Sequence, residues 1–262
     1  MIDYPNINPE IIRFGPFAVR WYGLMYLLGF IMAYLLVRLQ IKHKKIPVHK
    51  DFIESMFSYI IIGLLIGARL GYVLFYNLDF YIQNPLEIFA VWHGGMSFHG
   101  GLAGAIISGY IFARRFKAQF WQMADIVVVT APIGLGLGRI GNFINGELYG
   151  RPTDLPWAMV FPSDPLQIPR HPSQIYECIL EGVVLFAILW LLKDRGFRHG
   201  VLTSIFLALY GIFRFMVEFV RQPDGYVNLI VFQVTTGQFL SLLMIITSLF
   251  IFFAVYKQKT VS

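Results

Sequence analysis

The sequence predicts an all-α protein that crosses a membrane about seven times, with its N-terminus outside and its C-terminus in the cytoplasm. Three observations lead there. Of 262 residues, 57% are apolar and 14% charged, whereas soluble domains run at roughly 45–50% and 25%. Mean hydropathy is +0.63, and so few charges would leave a soluble globule of this size without a polar coat. The apolar residues gather into runs about as long as a bilayer crossing, roughly 20 residues each, and the basic residues between them are segregated by side.

The predicted spans are residues 18–38, 56–76, 96–113, 122–143, 175–192, 200–220 and 236–256, within one integral membrane domain covering 1–262. No Lys or Arg precedes Arg13, so the basic head of a cleavable signal peptide is missing and the first run is expected to be a permanent span. In the fourth run Pro132 is followed by Gly134, Gly136, Gly138 and Gly141. That composition predicts irregular backbone, tolerated at membrane depth only beside protein or a water-filled cavity. Asn77–Val91 mixes apolar and polar residues without a basic one, as an interfacial arm or an ordinary loop would. The only cysteine, Cys178, lies in the fifth run, which excludes an intrachain disulfide and suits an inert buried thiol.

With the N-terminus outside, the cytoplasmic loops and tail hold Arg38, Lys42, Lys44, Lys45, Lys50, Arg114, Arg115, Lys117, Lys193, Arg195, Arg198, Lys257 and Lys259, which is 13 of the 21 basic residues. The opposite orientation would violate the positive-inside rule. The other eight are Arg13, Arg20, Arg69, Arg139, Arg151, Arg170, Arg214 and Arg221, all arginine, while all eight lysines fall on the cytoplasmic side. A guanidinium keeps its charge when desolvated and matches a phosphate with a planar fork of donors. The outward half is therefore expected to hold anionic oxygens; arginines paired with carboxylates are the alternative.

Ionisable groups inside a membrane are costly and point to function, and three clusters stand out. Gly94-Gly95-Met96-Ser97-Phe98-His99-Gly100-Gly101 opens the third span. Histidine is the natural base near neutral pH, and its glycine neighbours permit close approach by other backbones or by a ligand. Gly138–Gly150 (GRIGNFINGELYG) ends the fourth span; continued helix would put Arg139 and Asn142 on one face, with Glu147 just beyond a terminating glycine. On the sixth span Tyr210, Arg214 and Glu218 step by four and Arg221 follows by three, predicting one polar stripe. Tyr22 and Tyr26 share a face of the first span, and His171, before the fifth, is a second candidate base. Gly136, Gly138 and Gly141 also satisfy GxGxxG with Asp154 downstream. No alternation of strands and helices surrounds them, so a nucleotide site is rejected, and nothing predicts a nucleic-acid partner.

The segment GRIGNFINGELYG resembles the signature of the prolipoprotein diacylglyceryl transferases. The resemblance extends through WYGLMYLLGF, WHGGMSFHGG, RHPSQIYE and LYGIFRFMVEFVRQPDG, in order along nearly the whole chain. It implies a bacterial inner-membrane enzyme with seven spans and a site towards the outer leaflet. It also implies phosphatidylglycerol and a preprolipoprotein signal peptide with its lipobox cysteine as partners, among membrane lipids, and neither metal nor cofactor. The positions it singles out are Tyr22, His99, Arg139, Asn142, Glu147, Gly150, Tyr210, Arg214 and Glu218; the stripe on the sixth span adds Arg221. His99, Arg139, Glu147 and Arg214 are the expected catalytic residues, the others substrate-binding. A different lipoprotein acyltransferase would need an enzyme nucleophile and a soluble catalytic domain, neither of them visible. A lipid transporter or flippase would be expected to show mid-membrane polar groups and paired repeats, whereas the polar groups here gather at one side.

Overall fold

The computed structural model describes residues 1–5, 7–15, 17–223, 225–228 and 233–257; Asp224 and Lys259, used above, lie outside the described residues. Helices occupy every predicted run: α1 (Trp21–His43), α2 (Phe52–Tyr76), α4 (Phe98–Arg115), α5 (Phe120–Val128) with α6 (Ala131–Ile144), α7 (Ser173–Glu177) continuing through a π-helical segment Cys178–Val184 into α8 (Leu185–Leu192), α9 (Val201–Val217) and α10 (Thr236–Lys257). A short α3 (Leu78–Gln83) follows α2. Two small hairpins were not predicted: β1 (Glu10–Phe14) with β2 (Phe17–Arg20), and β3 (Tyr226–Asn228) with β4 (Gln233–Thr235).

Among the described residues, four helical stretches are long and apolar enough to cross a membrane: Trp21–His43, Phe52–Tyr76, Ser173–Leu192 and Thr236–Lys257. The bent pair Phe120–Val128 and Ala131–Ile144 makes a fifth if it counts as one span. Leu27, Ile66, Val183 and Phe253 are each more than half exposed, while Glu177, Glu181, Glu218 and Arg221 are buried. Apolar outside and charged inside is the arrangement of a polytopic membrane protein, in which lipid covers the apolar faces.

The fourth run departs from expectation in one respect. Its glycine-rich part is regular helix, and the irregularity is a break at Val129–Thr130 that bends the two pieces by 40°. Pro132 explains the position: in the first turn its missing N–H costs nothing, whereas further in it would remove a helical hydrogen bond. At the other end α6 stops at Ile144, and Gly146 turns the chain at φ +67°.

The chain divides into two compact units, Met1–Val37 with Asp125–Ser262, and Arg38–Ala124. In the second, α2 and α4 cross through small residues. A Cβ on Gly104 would collide with the carbonyl of Gly63, one on Gly67 with the carbonyl of Gly100, and one on Gly71 would sit 2.8 Å from the Cα of Gly100. Such small-residue seams let membrane helices gain dispersion contacts that lipid cannot supply. Buried Arg69 of α2 ties down the segment after α3, donating to the carbonyls of Glu87, Ile88, Ala90, Gly94 and Gly95 at 2.5–3.2 Å. That segment leaves Leu86, Phe89 and Trp92 largely exposed.

In the first unit, buried Asp125 accepts from Gly200 N, Thr203 N and Thr203 Oγ1 at 2.7–2.8 Å, capping the start of α9. In the same unit Val129, Leu185, Leu189 and Leu202 form an apolar core.

Candidate active site

Glycines place the central arginine. A Cβ on Gly182, in the π-helical segment, would lie 2.8 Å from the Cα of Gly136 on α6, and one on Gly136 would lie 3.1 Å from the Cα of Gly182. The two backbones touch there because neither residue has a side chain. Arg139 stands one turn beyond Gly136 and Glu181 one residue before Gly182, so the crossing brings guanidinium and carboxylate together. The wider π turn lies at the same point, and π segments recur at functional sites.

Glu177, fully buried at the end of α7, is the hub. Its Oε2 meets Arg139 Nε at 2.6 Å, and its Oε1 meets Arg214 Nη1 at 3.2 Å and Arg221 Nε at 3.3 Å. Arg139 Nη2 lies 3.6 Å from Glu181 Oε2, and Arg214 Nη2 lies 2.8 Å from Glu218 Oε2. Tyr210 interacts electrostatically with Arg139. Three arginines and three glutamates thus form one cluster with no formal net charge. Burying single ions would be far costlier than burying this matched set.

Beside it, the loop after α6 folds around Glu147. Asn142 Nδ2 and Asn145 Nδ2 both donate to Glu147 Oε1, at 2.9 and 3.1 Å, and Gln174 Nε2 donates to the Glu147 carbonyl at 2.6 Å. Tyr22, whose ring packs on Gly141, interacts electrostatically with both Glu147 and Arg139, and its hydroxyl lies 3.0 Å from that of Tyr26. Gly150 is wedged between two strands of chain: its N–H donates to the His171 carbonyl at 2.8 Å, and a Cβ there would lie 2.5 Å from the Val220 carbonyl oxygen.

The family model of the prolipoprotein diacylglyceryl transferases matches residues 9–254 of this chain. The chain belongs to that family. A diacylglyceryl transferase of Desulfotalea psychrophila, named for phosphatidylglycerol and prolipoprotein, is 50% identical, with 97% of this chain and 96% of the relative covered. Transferases of the same name from Bordetella avium and Geobacter sulfurreducens are 49% and 48% identical, covering 99% and 98% of this chain and 99% of each relative.

Of the transferase residues expected from sequence, Tyr22, Arg139, Asn142, Glu147, Gly150, Tyr210, Arg214, Glu218 and Arg221 all lie in the first unit. His99 lies in the second, exposed on the first turn of α4. Its neighbours Gly100 and Gly101 face the backbone or side chains of α2, so helix packing accounts for them. Glu218 pairs with Arg214 as the spacing predicted. α9 ends at Val217, but a further turn, closed by Arg221 N donating to the Val217 carbonyl at 2.9 Å, carries Arg221 to the cluster, where it also forms an isolated bridge with Gly150.

Six of the eight arginines expected on the outward side face carboxylates: Arg13 and Arg20 meet Glu10, Arg170 meets Asp164, and Arg139, Arg214 and Arg221 share Glu177. Arg69 and Arg151 donate to backbone carbonyls. Arg170 is a structural clip. Its Nε and Nη2 take both oxygens of buried Asp164 at 2.5 and 3.0 Å, and its guanidinium covers the Tyr149 ring. That guanidinium holds the Asp164 carboxyl below the usual carboxylate range. His171 has its Nδ1 3.2 Å from the Tyr176 hydroxyl, and burial pushes its pKa down.

Sequence reasoning missed Glu177 and Glu181. The signal was present, since they are two carboxylates one helical turn apart in an otherwise apolar span.

Proposed function

We propose that this chain transfers the sn-1,2-diacylglyceryl group of phosphatidylglycerol to the lipobox cysteine thiol of a preprolipoprotein, the first step of lipoprotein maturation. The observation that carries the proposal is the gathering of Arg139, Arg214 and Arg221 on Glu177 inside helices with apolar outer faces. Each guanidinium has five N–H donors, so the carboxylate contacts leave donors for a lipid phosphate.

In the reaction the thiol, with an unperturbed pKa of about 8.5, gives its proton to a base. Sulfur attacks the glyceryl carbon bearing the phosphate ester, a C–S bond forms, and the C–O bond breaks with its electron pair passing to glycerol phosphate. Charge grows on the departing phosphate, where fixed arginines stabilise the transition state more than the ground state. In this reading Arg139 and Arg214 hold the phosphate, aided by Arg221. Asn142, Tyr22 and Tyr210 contact the headgroup, and Glu218 orients Arg214. Gly150 keeps the site-forming loop against the Arg221 segment. His99 is the base, with Glu147 the second candidate. Cys178 has no part, because the substrate supplies the nucleophile.

The chain acts as a single seven-span domain of the bacterial inner membrane, N-terminus out, with its site towards the outer leaflet. The lysine and arginine segregation supports that orientation, since secreted substrate and lipid meet on that side. The test is incubation of the purified protein with phosphatidylglycerol and a lipobox peptide. A mass gain of one diacylglyceryl group on the peptide cysteine, with glycerol phosphate released, is expected; an unmodified peptide would reject the activity.

A further inference from the structure

We propose that Glu177 is a positioning residue for the transfer reaction: its one carboxylate sets the directions of the Arg139, Arg214 and Arg221 guanidinium groups before lipid arrives. The proposal rests on the phosphate-holding role given above to Arg139 and Arg214.

Three features single Glu177 out from the other acids of the cluster. It stands at ion-pair distance from all three arginines, Arg139 at 2.6 Å, Arg214 at 3.2 Å and Arg221 at 3.3 Å. Glu218 meets Arg214, and Glu181 meets Arg139 at the longer distance of 3.6 Å. Those arginines come from two separate parts of the chain, Arg139 from α6 and Arg214 and Arg221 from α9 and the turn that follows it, so no local geometry aligns Arg139 with the other two. Glu177 itself is fully buried and stands where α7 passes into the π segment, close to the Gly136–Gly182 crossing. A group so placed is a poor candidate for touching substrate and a good one for holding what does.

Charge and position make opposite forecasts. Neutralising Glu177 leaves the cluster one positive charge in excess, which favours an anionic headgroup in the ground state. It also frees three guanidinium groups to rotate, and misplacement by about 1 Å can cost about a hundredfold in rate. Glu177→Gln is therefore expected to lower kcat roughly a hundredfold while KM for phosphatidylglycerol stays level or falls. Glu181→Gln changes the net charge equally but releases a single, longer ion pair, to Arg139 at 3.6 Å, so its kcat is expected to fall by a clearly smaller factor than that of Glu177→Gln.

The experiment measures kcat and KM for Glu177→Gln, Glu177→Asp and Glu181→Gln in detergent, with size-exclusion profiles and melting temperatures to establish folding. Glu177→Asp keeps the charge but withdraws it by one methylene, and about a tenfold loss in kcat at unchanged KM is expected. It decides the matter should the Gln variant not fold. Wild-type kcat in a folded Glu177 variant, a loss expressed in KM alone, or equal losses in Glu177→Gln and Glu181→Gln would each overturn the proposal. Arg139→Gln and Arg214→Gln serve as the separate check: normal turnover in both removes the phosphate-holding role itself.

Discussion

Gly182 and Gly136 are in backbone contact, so close that a Cβ on Gly182 would lie 2.8 Å from the Cα of Gly136. This contact decides where Arg139 stands relative to Glu177 and Glu181. Valine at either glycine must push the π segment off α6, and overpacking of that kind costs about 1–3 kcal/mol. Gly136→Val and Gly182→Val should lower the melting temperature and reduce activity by more than the stability loss explains. Gly138, with open space around its missing Cβ, is the control. Gly138→Ala should be neutral or stabilising, because alanine is the better helix former by about 1 kcal/mol.

The α2–α4 seam makes a parallel case in the second unit. Gly67 and Gly104 each place backbone where a Cβ belongs. Gly104→Leu should destabilise this unit by about 2 kcal/mol or more, read as faster proteolysis in the 38–124 region. Gly134, with nothing near its missing Cβ, should differ from it: Gly134→Ala should leave that region unaltered.

The fold was legible where one physical rule dominated. Bilayer thickness marks the helical runs, and the polar stripe of α9 placed Arg214 against Glu218 because helical spacing leaves no choice. Arg221 joins the same cluster through one more turn after the last residue of α9, its N–H bonded to the Val217 carbonyl, so the spacing from Glu218 holds past the regular helix. What escaped depended on tertiary approach. The break before Pro132 was misplaced into the glycines, because glycine permits both irregular backbone and tight packing, and only the Gly136–Gly182 contact distinguishes them. Glu177 and Glu181 were hidden in an otherwise apolar run. There the cost of burying a carboxylate was a stronger indication than the hydropathy of its neighbours.

Acid should loosen the loop that carries Glu147 and Gly150. Asp164 has a folded pKa depressed by Arg170, so its stabilisation is complete at and above the ordinary carboxylate value, near 4. It disappears as pH falls through the lower folded value. The pair should contribute on the order of 1–3 kcal/mol at pH 7. Asp164→Asn should melt earlier than wild type at pH 7, and the gap should close below about pH 4. A gap that persists at acid pH would mean that lost packing, not lost charge, destabilises the variant.

The base can be identified by two substitutions. His99→Gln and Glu147→Gln each remove a candidate base, and thioether formation followed across pH distinguishes them. If His99 takes the thiol proton, its variant should lose about 10²-fold or more at neutral pH, with partial recovery at high pH as substrate thiolate forms unaided. Glu147→Gln should then keep the wild-type pH profile at reduced rate, because it disturbs the Asn142 and Asn145 hydrogen bonds. Near-normal activity of the histidine variant would transfer the role to Glu147.

Lysine at position 139 or 214 is the sharpest test of what the arginines do. Each arginine already works in two directions: Arg139 meets Glu177 through Nε and Glu181 through Nη2, and Arg214 meets Glu177 through Nη1 and Glu218 through Nη2. A guanidinium can keep those contacts and still present N–H donors to a phosphate, because its donors are spread around a rigid plane. An ammonium concentrates the same charge on one nitrogen. It must choose between the carboxylates and the phosphate, and the buried carboxylates are the nearer partners. Arg139→Lys and Arg214→Lys should therefore fold, retain net charge, and turn over about 10²-fold or more below wild type. The loss should fall on kcat, since preorganised donors act on charge developing in the transition state. Wild-type turnover in either lysine variant would reduce that arginine to a source of general positive potential.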